Sequence, residues 1–293
     1  MHKEDSFKNR QIGILLVSFS AISFTILDCS VKWLLQTIPF FEVIWLRFTC
    51  QTLISAAILI PRNGWRSLLP INWRLQILRS CMLGTMTACN FWSIQFLQLS
   101  ETSAILFSAP LIVALYSYWF LKHPIRIGQW VAIVIGFIGV LIVVRPTSNA
   151  VHPAIFLMVI NAFLFAGFNI LTRKLAHTET PSSLQWISAL GPSLMFFPFV
   201  NFQVTIPVFA WIIILFAGVW AAVGHYAMAR AYQYADAVTL TPFGYQQIIY
   251  MSLFGWILFG DVPALAVFIG AFIIIGSGLY LWLTQKNSAP TVV

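Results

Sequence analysis

Residues 217–263 read AGVWAAVGHYAMARAYQYADAVTLTPFGYQQIIYMSLFGWILFGDVP, and this stretch decides the fold. It predicts two apolar helices joined by a short polar hinge at Tyr234–Asp236. Pro242 lies inside the second helical pattern, where proline removes one backbone hydrogen bond and bends the helix. A membrane bundle tolerates such a break, because neighbouring helices can satisfy the freed carbonyl. The pattern therefore indicates a broken membrane helix of the kind that borders a solute pathway.

The second helix of this stretch is too polar to face lipid on all sides. Its polar side chains near the bend are Tyr245, Gln246, Gln247 and Tyr250. Thr239, Pro242, Gln246 and Tyr250 follow helical spacing and so share one face. We expect this face to border the pathway; packing between helices is the alternative that the sequence leaves open.

The composition is that of an integral membrane protein. Hydrophobic residues make up 60% of the chain and charged residues 8%, against about 25% charged residues in a soluble domain. The mean hydropathy is +0.87. We expect the lipid bilayer to be the main partner of this all-α chain. The net charge of +8 does not indicate a nucleic-acid partner, because the Lys and Arg residues are placed as membrane topology requires.

Apolar segments of about 20 residues recur along the chain and predict ten transmembrane helices. In order they are 11–35, 40–60, 75–97, 102–121, 127–144, 153–175, 182–202, 208–232, 235–259 and 263–284.

Lys and Arg are distributed unevenly between alternate loops, which sets the orientation. Of the 16 Lys and Arg residues, only Lys32 and Arg145 fall on the side opposite the N-terminus, and Arg47 lies within a span. The rest fall on the N-terminal side: Lys3, Lys8, Arg10, Arg62, Arg66, Arg74, Arg79, Lys122, Arg126, Arg173, Lys174, Arg230 and Lys286. We therefore expect both termini in the cytoplasm and the protein in a bacterial-type inner (plasma) membrane.

The ten spans divide into two similar halves, 11–146 and 152–284. Each half has a turn of small residues, then a helix with an internal proline (Pro110 or Pro242). A short non-helical segment ending in proline follows, and then a helix that contains several glycines. Because each half has five spans, the two copies must lie inverted in the membrane, with a binding site near the midplane between them.

The sequence resembles members of the drug/metabolite transporter superfamily, with two EamA-like domains. The resemblance rests on FEVIWLRF at 41–48, LRSCMLG at 78–84, SAPL at 108–111, GFIGVLIVVRP at 136–146, and ADAVTLTPFGYQQ with LFGDVP within 235–263. It implies an alternating-access carrier with a central cavity; such carriers move amino acids, nucleotide-like metabolites, riboflavin, S-adenosylmethionine or drugs. The family often has an acid after its fourth and ninth helices. Asp261 matches the second position, whereas Lys122 departs from the first.

Asp28 and Arg47 are the clearest charges inside predicted spans, where such residues face the bundle interior and pair. Their matched depths predict an ion pair, with Glu42 or Lys32 as alternative partners. The pair could form an outer gate, contact a charged solute, or simply join two helices.

Further candidates for solute binding lie on helices expected to line the cavity. The amides Asn90 and Asn169 could bond to each other's helices or to the solute. His225 could relay protons, bind solute or pack. Aromatic walls interrupted by amides suit a flat, partly polar solute, so we expect an aromatic or heteroaromatic metabolite. The aromatic candidates are Trp92, Tyr226, Tyr245 and Tyr250.

No catalytic, metal or cofactor site is expected. The chain lacks His-Glu-x-x-His and Gly-x-Ser-Gly, and its four cysteines lack metal-ligand spacing. A structural or sensory role would leave the repeat unexplained. Proton-coupled export, through Asp28 or His225, is an alternative to uncoupled transport, and the chain is expected to be a monomer or a homodimer.

Overall fold

The computed structural model describes residues 7–121, 126–144, 152–235, 240 and 243–286, and the long elements in these ranges are helices. Apolar segments form helices because a helix satisfies its backbone polar groups within the segment. The α-helices are α1 (Phe7–Leu34), α2 (Phe40–Asn63), α3 (Trp73–Ser93), α4 (Leu99–Leu106), α5 (Ala109–Leu121), α6 (Ile127–Val144), α7 (Ala154–Leu175), α8 (Pro181–Phe196), α9 (Val208–Tyr234), α10 (Gln246–Phe259) and α11 (Leu265–Lys286). Short 3-10 helices at Trp65–Leu68 and Phe197–Phe199 follow α2 and α8.

The predicted fourth span is interrupted before its proline. It forms α4 and α5, and Pro110 is the second residue of α5. Proline has no N–H to donate, and its ring clashes with the carbonyl four residues earlier, which favours a break at this point. The predicted break at Pro242 lies outside the described residues, as do Thr239 and Asp236.

Seven helical segments are long and apolar enough to cross a membrane, judged by length and composition. Helix α10 is apolar but shorter. The ten expected spans also include α3 and α8, which are not among these seven segments. Helix α3 carries Arg74 and Arg79, and α8 is only 16 residues long, with Pro198 following in the 3-10 turn.

The outer surface of the bundle is apolar, as a lipid-facing surface must be. On α6, Val131, Val134, Ile135 and Ile138 are exposed at the spacing of one helical face. An exposed apolar stripe of this kind marks a membrane or protein contact. The chain therefore forms an all-α membrane protein.

Helices α2 and α8 run in opposite directions, and contacts between their ends identify two ends of the bundle. Asn63 Nδ2 donates to Ser182 Oγ at 3.1 Å, which joins the end of α2 to the start of α8. At the other side, Asn201 N donates to Glu42 Oε1 at 3.0 Å. We call the end where α1 begins the terminal end, and the end where α1 finishes the distal end.

Helices from the two halves of the chain pack in pairs. Helix α1 packs along α9, α3 along α7, α2 along α8 and α6 along α11. The α6–α11 contact is close because glycines meet there. A Cβ added to Gly270 would lie 2.6 Å from the carbonyl oxygen of Gly139, so neither helix could approach as closely with a larger residue.

Candidate solute-binding cavity

A cavity of about 260 Å³ lies in the bundle, lined by residues from both halves of the chain. On α1 its wall runs from Val17 to Asp28, which is about 16 Å along the axis at 1.5 Å per residue. It extends to the terminal end, where Tyr232 and the exposed Arg173 belong to its wall. The broken region at α4 and α5 contributes Phe107 and Pro110. The proline break therefore borders the cavity.

Among the described residues, the polar part of the wall contains the carboxylate of Asp28 and, in addition to the exposed Arg173, the buried guanidinium of Arg47. Asn90 Nδ2 donates to Asp28 Oδ1 at 3.1 Å. Arg47, which is only 2% exposed, also lines the cavity and attracts Asp28 electrostatically. Among the described residues Arg47 forms no salt bridge with Asp28, so the predicted close ion pair is absent. The alternative partners that the sequence suggested are engaged elsewhere: Lys32 with Asp261 and Glu42 with Asn201.

Aromatic rings and amides make up much of the rest of the wall. The Phe24 ring meets the His225 ring edge-on, with centroids 4.8 Å apart, where α1 packs on α9. Helix α7 contributes Asn161 and Asn169 at a spacing that places them on one face, together with neighbouring phenylalanines. Asn161 is buried, and its Oδ1 has no hydrogen-bond partner among the described residues. The wall thus offers flat apolar surfaces with polar groups between them.

Five of the ten predicted site residues line this cavity. They are Asp28, Arg47, Asn90, Asn169 and His225. Each is a polar or charged residue in an apolar segment, and such residues turn inward because lipid contact is costly.

The other five predicted residues lie off the cavity wall in the part of the chain that the structure describes. They are Trp92, Tyr226, Tyr245, Gln246 and Tyr250.

Helical phase explains these differences on α3 and α9. Trp92 follows the wall residues Asn90 and Phe91 and points outward, 44% exposed, with its ring 5.3 Å from that of Phe40. Tyr226 follows His225, and successive helical residues are turned by about 100°. Aromatic residues are compatible with lipid as well as with a cavity, so their identity alone did not determine the face.

On the ninth span, the structure places Gln247 on the cavity wall and Gln246 off it. Gln246 Oε1 instead accepts a hydrogen bond from Tyr250 Oη at 3.0 Å. Helix α10 begins at Gln246, and Thr239 and Pro242, the earlier residues of the predicted face, lie outside the described residues. Tyr245 itself is buried, with its ring 5.7 Å from Phe107.

The distal end is closed by a contact between the two halves of the chain. Lys32 Nζ on α1 lies 2.6 Å from Asp261 Oδ2, which follows α10, and donates to the carbonyl of Leu97 at 3.3 Å. The Lys32 ammonium also lies 5.1 Å from the centre of the Phe259 ring. We call the contact of Lys32 with Asp261 and the Leu97 carbonyl the distal clasp. The cavity wall thus reaches Arg173 towards the terminal end, and the distal clasp lies one helical turn beyond Asp28 towards the other end.

The sequence profile of the EamA-like transporter family matches residues 11–145 and again residues 152–283. The chain belongs to the EamA-like transporter family. It is a multi-pass membrane transporter of small metabolites and not an enzyme.

Named transporters from bacteria are similar to this EamA-like chain. A riboflavin transporter of Vibrio cholerae is 30% identical over 188 residues, a match that covers 63% of each chain. A riboflavin transporter of Brucella anthropi is 26% identical over 82% of this chain and 88% of its own. An S-adenosylmethionine uptake transporter of Rickettsia bellii is 24% identical over 97% of this chain and 98% of its own.

The fold of this EamA-like transporter also resembles that of a protein of known crystal structure. The two share 16% identity with a TM-score of 0.65, over 94% of this chain and 98% of the other. At that identity the likeness concerns the fold alone.

The cavity of this EamA-like transporter has the groups for binding a small solute. Among the described residues, no three His, Cys, Asp or Glu side chains are grouped to hold a metal ion. The wall supplies hydrogen-bonding groups, charges of both signs and aromatic surface instead.

Proposed function

We propose that this EamA-like transporter is an alternating-access carrier of a flat heteroaromatic metabolite. The observation that carries the proposal is a cavity wall in which aromatic rings and amides accompany the buried carboxylate of Asp28 and the buried guanidinium of Arg47. Aromatic rings stack on the faces of a flat solute, and amides bond to its polar edge. We place the protein in the inner (plasma) membrane of a bacterium, with ten spans and both termini cytoplasmic.

The pairing of helices supports two inverted repeats. If residues 11–146 and 152–284 are copies, α1 corresponds to α7 and α3 to α9. Helix α1 packs on α9 while α3 packs on α7, which is the exchange that a two-fold axis in the membrane plane produces. The corresponding helices α2 and α8 pack on each other, as do α6 and α11. With five spans in each copy, corresponding helices run in opposite directions.

The asymmetry of the cavity supports alternating access. The wall reaches Arg173 at the terminal end, while the distal clasp covers the other end. With cytoplasmic termini, as the Lys and Arg distribution predicts, this conformation is open to the inside. Rocking of one repeat against the other would part the clasp and close the cavity at the terminal end.

The solutes named for the relatives share the proposed chemistry. Riboflavin and S-adenosylmethionine both carry a flat heteroaromatic ring, although the second also carries an amino-acid group and a positive sulfonium. We favour an uncharged ring, because the acid Asp28 and the base Arg47 balance each other within the wall.

Proton-coupled export of amino acids or drugs is the second candidate function. It is favoured by the presence of two titratable side chains, Asp28 and His225, on the cavity wall. Flux from proteoliposomes with and without a pH gradient separates the two functions: a gradient dependence that is lost in Asp28→Asn would support coupling. The oligomeric state, monomer or homodimer, stays a prediction.

The proposed function is tested by thermal unfolding of the purified protein with a solute panel of riboflavin, S-adenosylmethionine, adenosine and amino acids. A ligand at a hundred times its Kd adds about 2.7 kcal/mol to the stability of the folded state. We expect a flat heteroaromatic solute to raise the melting temperature. Gln247→Ala should remove the rise, whereas the matched Gln246→Ala should keep it, because only Gln247 lines the cavity.

Two results would contradict the proposal. One is stabilisation by amino acids with no effect of any heteroaromatic solute. The other is a shift that Gln246→Ala abolishes and Gln247→Ala leaves intact, which would place the site away from this cavity.

A further inference from the structure

We propose that Asp28 and Arg47 together bind one edge of the solute, an edge that presents an N–H donor beside a carbonyl acceptor. The inference rests on the proposed function and names the solute chemistry that the cavity selects. It assigns the acceptor of the solute to Arg47 and the donor to Asp28. Uncharged heterocycles with an imide or lactam edge, such as flavin and uracil rings, have this arrangement.

The guanidinium of Arg47 is the first observation. None of the described residues accepts a hydrogen bond from its Nε or Nη1, although the residue is 2% exposed. The ring of Phe48 lies 3.9 Å away and offers no lone pair. One turn further along α2, the amide oxygen of the fully buried Gln51 has no partner either, so it does not hold the guanidinium. Arg47 thus belongs to the cavity wall and has buried donors without a partner among the described residues.

The carboxylate of Asp28 is the second observation. From the described residues it accepts one hydrogen bond, from Asn90, although an ionised carboxylate has room for about four. Asp28 and Arg47 interact electrostatically but are not in contact as a salt bridge among the described residues. His225, packed edge-on against Phe24, is the other titratable side chain that feels the Arg47 charge.

A buried charge with unfilled hydrogen-bonding positions is costly, so such groups are normally paired. Here Asp28 and Arg47 line the same cavity, with no salt bridge between them. A solute edge that accepts from Arg47 and donates to Asp28 would complete both groups at once. Because the two charges cancel, the edge that fits best carries no net charge, and a cation or an anion would leave one partner unmatched.

Riboflavin and 3-methylriboflavin test this assignment, because the methyl group removes the one N–H donor between the two ring carbonyls. The measurement is flavin fluorescence anisotropy with the full-length chain in nanodiscs. A hydrogen bond to a charged group contributes enough for the native protein to prefer riboflavin by about tenfold or more. In Asp28→Leu, both flavins should bind equally, within about twofold, because the acceptor is gone.

Arginine variants provide a second test of the proposal. Arg47→Met should weaken riboflavin binding about tenfold or more, because an acceptor loses its charged donor. The matched control is Arg62→Met, which changes an exposed arginine on the same helix and should leave the Kd unchanged. If a variant does not fold, the comparison of the two flavins on the native protein still tests the inference.

Three outcomes would overturn the inference. The native protein could bind both flavins equally well. Asp28→Leu could retain the preference for riboflavin, which would show that the methyl group is rejected by shape. The native protein could bind S-adenosylmethionine and no flavin, which would leave the proposed carrier function standing without this edge. Failure to bind any solute of the panel would instead count against the proposed function itself.

Discussion

Replacing Asp261 by Asn should make the distal end of the bundle open more often, because it removes the charge that holds Lys32. The ion pair measures 2.6 Å, and the side chains of Lys32 and Asp261 are 13% and 23% exposed. Exposed pairs contribute about 0.2–1 kcal/mol, whereas breaking a fully buried pair costs about 3–5 kcal/mol. This half-buried pair falls between those limits, at about 1–3 kcal/mol, which corresponds to a roughly 5- to 150-fold shift in the opening equilibrium.

Labelling of a cysteine at Leu97 measures this equilibrium. Leu97 is buried beneath the clasp, and it is not part of the cavity wall that the structure describes. In a background with the four native cysteines replaced by Ala, Leu97→Cys should react slowly with a water-soluble maleimide in nanodiscs. Asp261→Asn should raise that rate about 5- to 150-fold, because the rate follows the open population when opening is fast.

A cysteine at the exposed Gln36 is the control, and its labelling rate should not change. Exchanging the charges, with Lys32→Asp and Asp261→Lys together, should return the Leu97→Cys rate towards the native value. An Asp261→Asn rate equal to the native rate would refute the reasoning, as would a charge exchange that labels as fast as the single variant.

Three further predictions concern packing and topology. Gly270→Ala should lower the free energy of unfolding by about 1–3 kcal/mol, because its Cβ would meet the Gly139 carbonyl. The control Gly276→Ala should not lower it, because a Cβ at Gly276 meets nothing within 4 Å among the described residues. Unfolding curves in denaturing detergent give both values. Arg79→Lys should cost about 1–3 kcal/mol in the same assay. The Arg79 guanidinium donates to Thr172 Oγ1 at 2.8 Å and to the Leu184 carbonyl at 3.1 Å, and a lysine ammonium cannot reproduce both hydrogen bonds. An unchanged unfolding midpoint would contradict this role. Alkaline phosphatase fused after Asn201 should be active in cells and a green fluorescent protein at the C-terminus fluorescent; the reverse pattern would overturn the predicted orientation.

Several helices followed closely from the sequence. The predicted span 127–144 coincides with α6, and 153–175 differs from α7 by one residue. Apolar segments can be found in this way because length and hydropathy are local properties, and a membrane helix satisfies its own backbone. The polar residues Asp28, Asn90 and His225 were found for a related reason, since polar groups in apolar segments turn inward.

The helical face was less predictable where the chain is irregular. Spacing placed Gln246 on the pathway, but in helix α10 it is Gln247 that lies on the cavity wall. Aromatic residues gave no better guide: Trp92 lies outside, while Phe24, which has no polar group to mark it, lies inside. An aromatic side chain is stable against lipid, against another helix or in a cavity, so its sequence position does not determine its surroundings.

The sequence by itself determined the helical membrane architecture, the family and the set of polar residues that must be shielded from lipid. Only the tertiary structure decided which of them meet. Lys32 is four residues after Asp28 and was a candidate partner for it, yet it pairs with Asp261, 229 positions further along the chain. Arg47 and Asp28 share the cavity without closing into a salt bridge. Charge–charge contacts depend on distances of a few ångströms between helices, and no local pattern in a sequence records how helices from two repeats pack together.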